Sequence, residues 1–552
     1  MTKTKFKHPE HLYFLPLGGS GEIGMNMNLY AYQNKWLMVD CGITFTRDLG
    51  IEVLMPDPSF IAERRKDLVG LVLTHAHEDH IGAVPYLWER LRCPIFATPF
   101  TAFLVREKLK EVGLLKQAIV TEVPLDSEIT LDPFKIRYIT LTHSIPEPNA
   151  LAISTDAGTV IHTGDWKIDP EPFVGAQTDI KTLSQYGDQG VLALVCDSTN
   201  AFVHGRTGSE AEVRSELAGL IAQQKNRVVV ACFASNVARV ESAALAGQSA
   251  GRKVVLAGRS LFRMDDAARS CGYMKGMPKF LDEDKVKGLR RDETLIICTG
   301  SQGEPRSALA RIASGQHPRI KLDAGDTVIF SSRVIPGNED AIKVLQNQLH
   351  DLGVHVITDH EEEVHVSGHP ARDELKDMYA WVRPQILVPV HGEKDHMREQ
   401  AKWGLSCGIK KSIVPENGTL ICLDPQHPKI EAHVPAGRLA LDGGHAVPFD
   451  AAHIKERGKM RQAGMVALTL PLGKGTKVRG GFLMSLVGVV DPSLEPVARQ
   501  HLTGVIYDAL DVIPKQHLED DSVIGEAVRS AVRRGLKHLY GKAPLVVVHI
   551  LR

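Results

Sequence analysis

Thr74-His75-Ala76-His77-Glu78-Asp79-His80-Ile81-Gly82-Ala83 puts three imidazoles and two carboxylates directly behind the apolar run Leu71-Val72-Leu73. A strand that empties into such a loop predicts a metal site, because imidazole and carboxylate donors suit zinc or manganese. The stagger lets His75 and His77 reach one ion while Asp79 and His80 turn to a second. A pair of ions is therefore expected. The competing reading is a solvated polar loop capping a helix that begins near Ile81, and the order H-x-H-x-D-H after a strand fits it poorly.

Further donors sit where other apolar strands end. The strand around Ile139-Thr140-Leu141 runs into Thr142-His143-Ser144, and Thr159-Val160-Ile161 runs on to Thr163-Gly164-Asp165. His143 is read as the first ion's third ligand and Asp165 as a carboxylate bridging the two ions. His162, inside its strand, reads as packed rather than ligating. Asp40 closes the strand Trp36-Leu37-Met38-Val39 and either orients a ligating histidine or serves as an ordinary turn aspartate; the residues alone leave both open. Leu192-Ala193-Leu194-Val195-Cys196-Asp197 is one more strand ending in an acid.

Between these stretches short strands alternate with helix-like segments at 84–92 and 101–112, which argues an α/β sandwich. From 209 to about 359 the alternation becomes regular, as expected of a separate, doubly wound parallel sheet. Its strands end in small polar loops at 234–236, 299–303 and 331–338, suited either to phosphate or to plain turns. Histidine then returns, in His365-Val366-Ser367-Gly368-His369 and, after Ile386-Leu387-Val388-Pro389-Val390, in His391. The economical reading is an inserted domain, after which the first domain resumes to complete its sheet and its metal site with His391. The expected domains are 1–208 with 363–450, 209–362 inserted, and 451–552 as linker and small α+β domain. In that last part 474–479 is basic and turn-like, 524–539 is helical and basic, and 544–550 reads as a closing strand.

At 552 residues the chain is too long for one core, and 43% hydrophobic content fits a globular protein. No apolar run approaches the roughly 18 residues that cross a bilayer, and Met1 to His8 is basic without a signal peptide's apolar stretch, so no membrane partner and a cytoplasmic location are expected. The eight cysteines are scattered without a C-x-x-C pair, as reduced buried side chains are. A formal charge of -1 leaves any polyanion to local basic patches.

Taken together, Gly18-Gly19-Ser20-Gly21-Glu22-Ile23-Gly24-Met25-Asn26, the H-x-H-x-D-H loop, His143, Asp165, Asp197, His369 and His391 resemble the β-CASP branch of the metallo-β-lactamase superfamily, and within it most the ribonuclease J family. The resemblance covers about the first 450 residues. It implies an αββα metallo-β-lactamase sandwich with an inserted β-CASP domain. It implies two divalent ions, zinc foremost and manganese as the alternative, held by His75, His77 and His143 and by Asp79, His80 and His391, with Asp165 between them. Two ions about 3.5–4 Å apart suit phosphodiester hydrolysis. Asp79, Asp165, Asp197 and His369 are then the catalytic set, and Phe233, Ala234, Ser235 and His365, Val366, Ser367, Gly368, His369 the substrate pocket. Histidine at 391, where DNA-acting members carry an aliphatic residue, implies RNA as substrate. The implied activity is 5′-to-3′ exonuclease favouring 5′-monophosphate ends, with endonuclease activity, in RNA maturation and decay. The implied partners are RNA, further copies of the chain in a homodimer or homotetramer, and other RNA-decay proteins. Family members also hold structural calcium, for which Asp48 and Asp442 are the candidates. The alternative from another class is a thioester or lactone metallo-hydrolase.

Overall fold

Two stacked sheets form the frame of the site. The first has eight strands in the order Lys429–His433, Thr419–Cys422, Tyr13–Gly18, Met27–Tyr32, Lys35–Val39, Leu68–Val72, Ile95–Ala97, Val120–Glu122. The second has seven: Glu128–Leu131, Phe134–Thr140, Asn149–Thr155, Gly158–His162, Val191–Asp197, Pro384–Val390, Lys411–Ser412. This computed structural model describes residues 8–46 and 48–552, so of the basic stretch 1–8 only His8 lies within it.

Side-chain alternation decides which face each strand buries. In Pro384–Val390, Ile386, Val388 and Val390 join Phe14, Tyr30, Val39 and Val72 between the sheets, whereas Leu387 points outward. There it meets a second core built with Leu183 of the helix Ile180–Gln189 and Leu375, Met378 and Val382 of the helix Arg372–Val382. These two helices therefore cover the outer face of the seven-stranded sheet. The hairpin joining Met27–Tyr32 to Lys35–Val39 turns on Gln33 and Asn34, both with positive φ, as a two-residue turn matched to sheet twist requires.

Strand direction places the chemistry. Lys35–Val39 runs parallel to Leu68–Val72, and Gly158–His162, Val191–Asp197 and Pro384–Val390 run parallel to one another. Asp40, the 74–80 loop, Asp165, Asp197 and His391 thus all follow the carboxyl ends of parallel strands, the usual position for α/β sites. The helix expected near Ile81 differs in detail. A single turn, Glu78–Ile81, begins inside the donor loop, and the longer helix Val84–Leu91 follows it and stops at Arg92 in the left-handed conformation.

Residues between the two halves of this sandwich build a parallel five-stranded sheet in the order Lys253–Ala257, Thr294–Cys298, Val228–Ala231, Thr327–Phe330, His355–Ile357. The out-of-sequence order confirms the doubly wound reading of this stretch. A second compact unit comprises residues 46, 48–52 and 440–552. In it the strand Met465–Pro471 lies between Leu483–Val487 and Leu545–Leu551 and packs on the helices Glu495–Asp511 and Asp521–Tyr540. No helix among the described residues is long and apolar enough to cross a membrane.

Candidate metal centre

Backbone hydrogen bonds from distant segments hold the donor loop. Asn26 N donates to Asp79 O at 2.9 Å, Cys41 N to His80 O at 2.7 Å and Ile43 N to Glu78 O at 3.0 Å. The approach is so close that a Cβ on Gly42 would stand 1.6 Å from Asp79 O, so only glycine fits there. Asp40, at φ +63°, and His391, at φ +52°, are strained backbone positions at the same place, as functional sites often carry.

Two groups of donors converge. His77 Nδ1 lies 3.1 Å from His75 Nε2 and 3.0 Å from His143 Nε2, close to the ~3.3 Å separating tetrahedral nitrogen ligands of one zinc ion. Asp165 Oδ2 lies 3.9 Å from both His75 Nε2 and His143 Nε2. It also lies 3.2 Å from His80 Nε2 and 3.6 Å from His391 Nε2, while Asp79 Oδ2 is 3.6 Å from each of those two nitrogens. Asp165 therefore belongs to both groups. All seven residues read from the sequence as ligands come together here. The buried Asp165 Oδ1 has no hydrogen-bond partner, and an orphaned carboxylate oxygen this deep fits a residue that holds a cation.

Each imidazole is oriented through its other nitrogen. Asp40 Oδ2 accepts from His80 Nδ1 at 2.7 Å and from Thr74 Oγ1 at 2.9 Å, and Oδ1 accepts from Thr74 N at 2.8 Å. Asp40 is thus the orienting residue and not a plain turn aspartate. Thr74 Oγ1 stands 3.0 Å from His75 Nδ1, Gly368 O accepts from His143 Nδ1, and Asn26 Oδ1 is 3.1 Å from His391 Nδ1. Ser235 Oγ stands 3.2 Å from His77 Nε2. His162 instead packs in the core against Tyr30, whose hydroxyl is 2.9 Å from its Nδ1.

Burial holds the His75 and His143 imidazoles well below their usual range, against the pull of Asp165, and takes His77 down to about 4, so these rings offer lone pairs at neutral pH. For His80, burial is outweighed by the carboxylates of Asp165, Asp79 and Asp40, and its pKa is raised. Burial likewise opposes ionisation of Asp165, but His391 and His80 hold its carboxyl well below the carboxylate range.

Asp197 and His369 form a dyad beside this centre. His369 Nδ1 lies 2.7 Å from Asp197 Oδ2, and its ring is 5.2 Å from that of His143 and 5.6 Å from that of His391. Burial would lower the His369 pKa, but Asp197 overrides it and pushes it up to about 9. Asn200 fixes the adjoining turn, with Nδ2 donating to Ser367 Oγ and to His369 O at 2.9 Å each. Phe233, Ala234 and Ser235 form the loop between Val228–Ala231 and the helix Val237–Ser249, facing the donor loop. His365 is mostly buried, its Nδ1 without a hydrogen-bond partner, and burial near Arg239 takes its pKa down to about 3. Val366 lies against Gly208 at the entry to the inserted sheet.

Asn26 and Asn200 were not singled out by residue type. The signals were their places, Asn26 closing the glycine-rich stretch 18–26 and Asn200 three residues after Asp197. The two aspartates named as calcium candidates pair with arginines here. Asp442 is gripped by Arg457 through two bonds of 2.9 and 2.8 Å, Asp48 is paired with Arg461, and no donor cluster among the described residues includes either.

Residues 22–180 match the metallo-beta-lactamase superfamily and 353–414 the Zn-dependent metallo-hydrolase RNA specificity domain. Residues 225–349 match the ribonuclease J beta-CASP domain and 452–552 the ribonuclease J C-terminal domain. Ribonuclease J of Sinorhizobium meliloti is 44% identical over the whole of both chains. The chain belongs to the ribonuclease J family. Ribonuclease J of Mycolicibacterium smegmatis is 37% identical over 98% of each chain, and ribonuclease J 1 of Streptococcus pyogenes 35% identical over 100% of this chain and 99% of its own. A crystal structure of a protein of unknown function from Enterococcus faecalis, 15% identical, covers 75% of this chain and 100% of its own with a TM-score of 0.52, a likeness of fold alone. In this ribonuclease J family member the His and Asp cluster is a divalent metal site. Membership also removes the thioester or lactone hydrolase from consideration.

Proposed function

We propose that this metal-dependent ribonuclease J family protein hydrolyses RNA phosphodiesters with two ions, zinc foremost, as a 5′-to-3′ exonuclease that favours monophosphate ends and also cleaves internally. The observation that carries the two-ion reading is Asp165, one carboxylate within 4 Å of both histidine groups and with an orphaned second oxygen. Bound ions supply an activated water and neutralise charge on phosphoryl oxygens. His75, His77 and His143 then serve one ion, Asp79, His80 and His391 the other.

The chain's own residues do the rest. Asp197 fixes the His369 ring and favours its protonated form. With Nδ1–H committed to Asp197, Nε2–H is the proton left to pass to the leaving oxygen. Phe233, Ala234, Ser235 and the segment 365–369 form the pocket for the terminal nucleotide and its phosphate. The domains proposed are 1–208 with 363–450, 209–362 and 451–552. A homodimer or homotetramer, contacts with other RNA-decay proteins and a cytoplasmic location complete the reading; eight free cysteines support a reducing compartment.

The test digests one RNA bearing a 5′-monophosphate or a 5′-triphosphate, beside matched single-stranded DNA and an Asp79→Ala control. Mononucleotides released from the monophosphate RNA alone, and not by the control, are the expected result. Absence of RNA cleavage with zinc or manganese supplied refutes the activity.

A further inference from the structure

Four of the five convergent imidazoles take their outer partner from the two segments of the sandwich: Thr74 for His75, Asp40 for His80, Gly368 for His143 and Asn26 for His391. His77 does not. Its Nδ1 points at the donor group and its Nε2 at Ser235 Oγ, 3.2 Å away and carried by the inserted sheet. We propose that Ser235 is a positioning residue for His77, so that occupancy of the first donor group and seating of the inserted domain on the sandwich are coupled through this one bond. The proposal rests on the reading of His77 as a ligand.

A neutral imidazole that ligates through Nδ1 must carry its hydrogen on Nε2. Ser235 Oγ accepts that hydrogen. Without it the N–H loses its protein acceptor in a partly buried place, or the hydrogen moves to Nδ1 and abolishes the lone pair the ion needs. Ser235 is not free to follow His77, because its loop is tied to the body of the inserted domain. Val237 N donates to Ser235 O at 2.9 Å, and Cys232 N to Cys298 O at 3.2 Å. Asn236 caps the next helix through Arg239 N and donates to Glu210 Oε1 at 3.1 Å. A shift of the inserted domain by about half an ångström would take the 3.2 Å bond beyond hydrogen-bonding range.

Coupling of two equilibria is reciprocal, so an ion in the first group favours the seated domain by the same factor by which seating favours the ion. A serine hydroxyl accepts from His77 and still has its own hydrogen to donate. That hydrogen is left for a phosphoryl oxygen of the substrate end, which makes Ser235 the point where metal, domain position and terminal phosphate meet. Two further contacts between the inserted domain and the sandwich, Tyr273 to Glu147 and Arg263 to Glu111, touch no donor histidine and serve as internal controls.

The experiment uses the full chain, stripped with a chelator and titrated with chelator-buffered zinc, in the forms wild type, Ser235→Ala, Ser235→Thr and His77→Ala. Bound zinc is counted, and hydrogen exchange is followed in the peptide covering 233–237 and in one covering Tyr273. Ser235→Ala is expected to bind one of the two ions about tenfold more weakly, with Ser235→Thr restoring the affinity. Zinc is expected to protect 233–237 in the wild type and not in Ser235→Ala, with Tyr273 unaffected. Unchanged zinc affinity and unchanged zinc-dependent protection in Ser235→Ala overturn the coupling while His77→Ala still loses an ion. Retention of both ions by His77→Ala overturns the coupling and the assigned ligand set together.

Discussion

Replacing Asp40 by asparagine keeps the shape of the side chain and removes one charge. The amide oxygen can still accept from Thr74 N, so the strand end stays in place, but the amide NH2 now faces His80 Nδ1, where the carboxylate accepted at 2.7 Å. The imidazole must turn Nδ1 into an acceptor and carry its hydrogen on Nε2, the atom that faces Asp165 and Asp79. A charge-assisted bond of this kind is worth about 1.5–3 kcal/mol, and each 1.4 kcal/mol is about a factor of ten. Asp40 also strengthens the proton that competes at His80, yet a divalent ion carries twice that charge, so the net loss falls on the metal. The Asp79, His80 and His391 group should bind its ion about 10–100-fold more weakly, with the group of His75, His77 and His143 little changed. Zinc content after dialysis against graded chelator, with circular dichroism to check folding, measures this. Two ions retained at the wild-type chelator midpoint would refute the argument.

Arg239→Met should cost about 3–5 kcal/mol, because it leaves the almost fully buried Glu210 without its guanidinium; the double variant Glu210→Leu with Arg239→Met should regain much of that loss, read by urea unfolding and by hydrogen exchange in 210–249. Gly42→Ala should cost about 3 kcal/mol and lower metal content, since its methyl would overlap Asp79 O; wild-type melting and zinc content would contradict the geometry. His162, depressed by burial to about 4, binds its proton more tightly when unfolded, so its contribution is full above pH 6.5 and lost as pH falls towards 4, about 3 kcal/mol in all. The drop in denaturation midpoint between pH 7.5 and 4.5, measured on the metal-stripped chain, should shrink in His162→Gln.

The ligand types and the α/β class were legible because they are local. H-x-H-x-D-H is contiguous, His143, Asp165 and Asp197 each follow an apolar run, and the regular alternation over 209–359 could hardly be anything but a parallel sheet. Helix ends were less legible. The turn Glu78–Ile81 begins inside the donor loop because backbone donors from 26 and 41–43 hold its carbonyls, and those lie far off in sequence. Residue type also left Asp40 open between turn and orienting acid; the parallel register of Lys35–Val39 on Leu68–Val72 brings it under His80.

A carboxylate in a loop says nothing about which cationic group reaches it, and for Asp48 and Asp442 only the fold brings Arg457 and Arg461 of the helix 452–463 to them. The sequence by itself determined which donors exist and that each follows a strand, because hydrophobic period and strand ends are properties of neighbouring residues. Which nitrogen of each imidazole faces inward, how Asn26 and Asn200 sit against the centre, and that Asp165 stands between two groups follow from the fold. Those depend on the packing of two sheets and an inserted domain, where a shift of one ångström makes or breaks a hydrogen bond that no local pattern encodes.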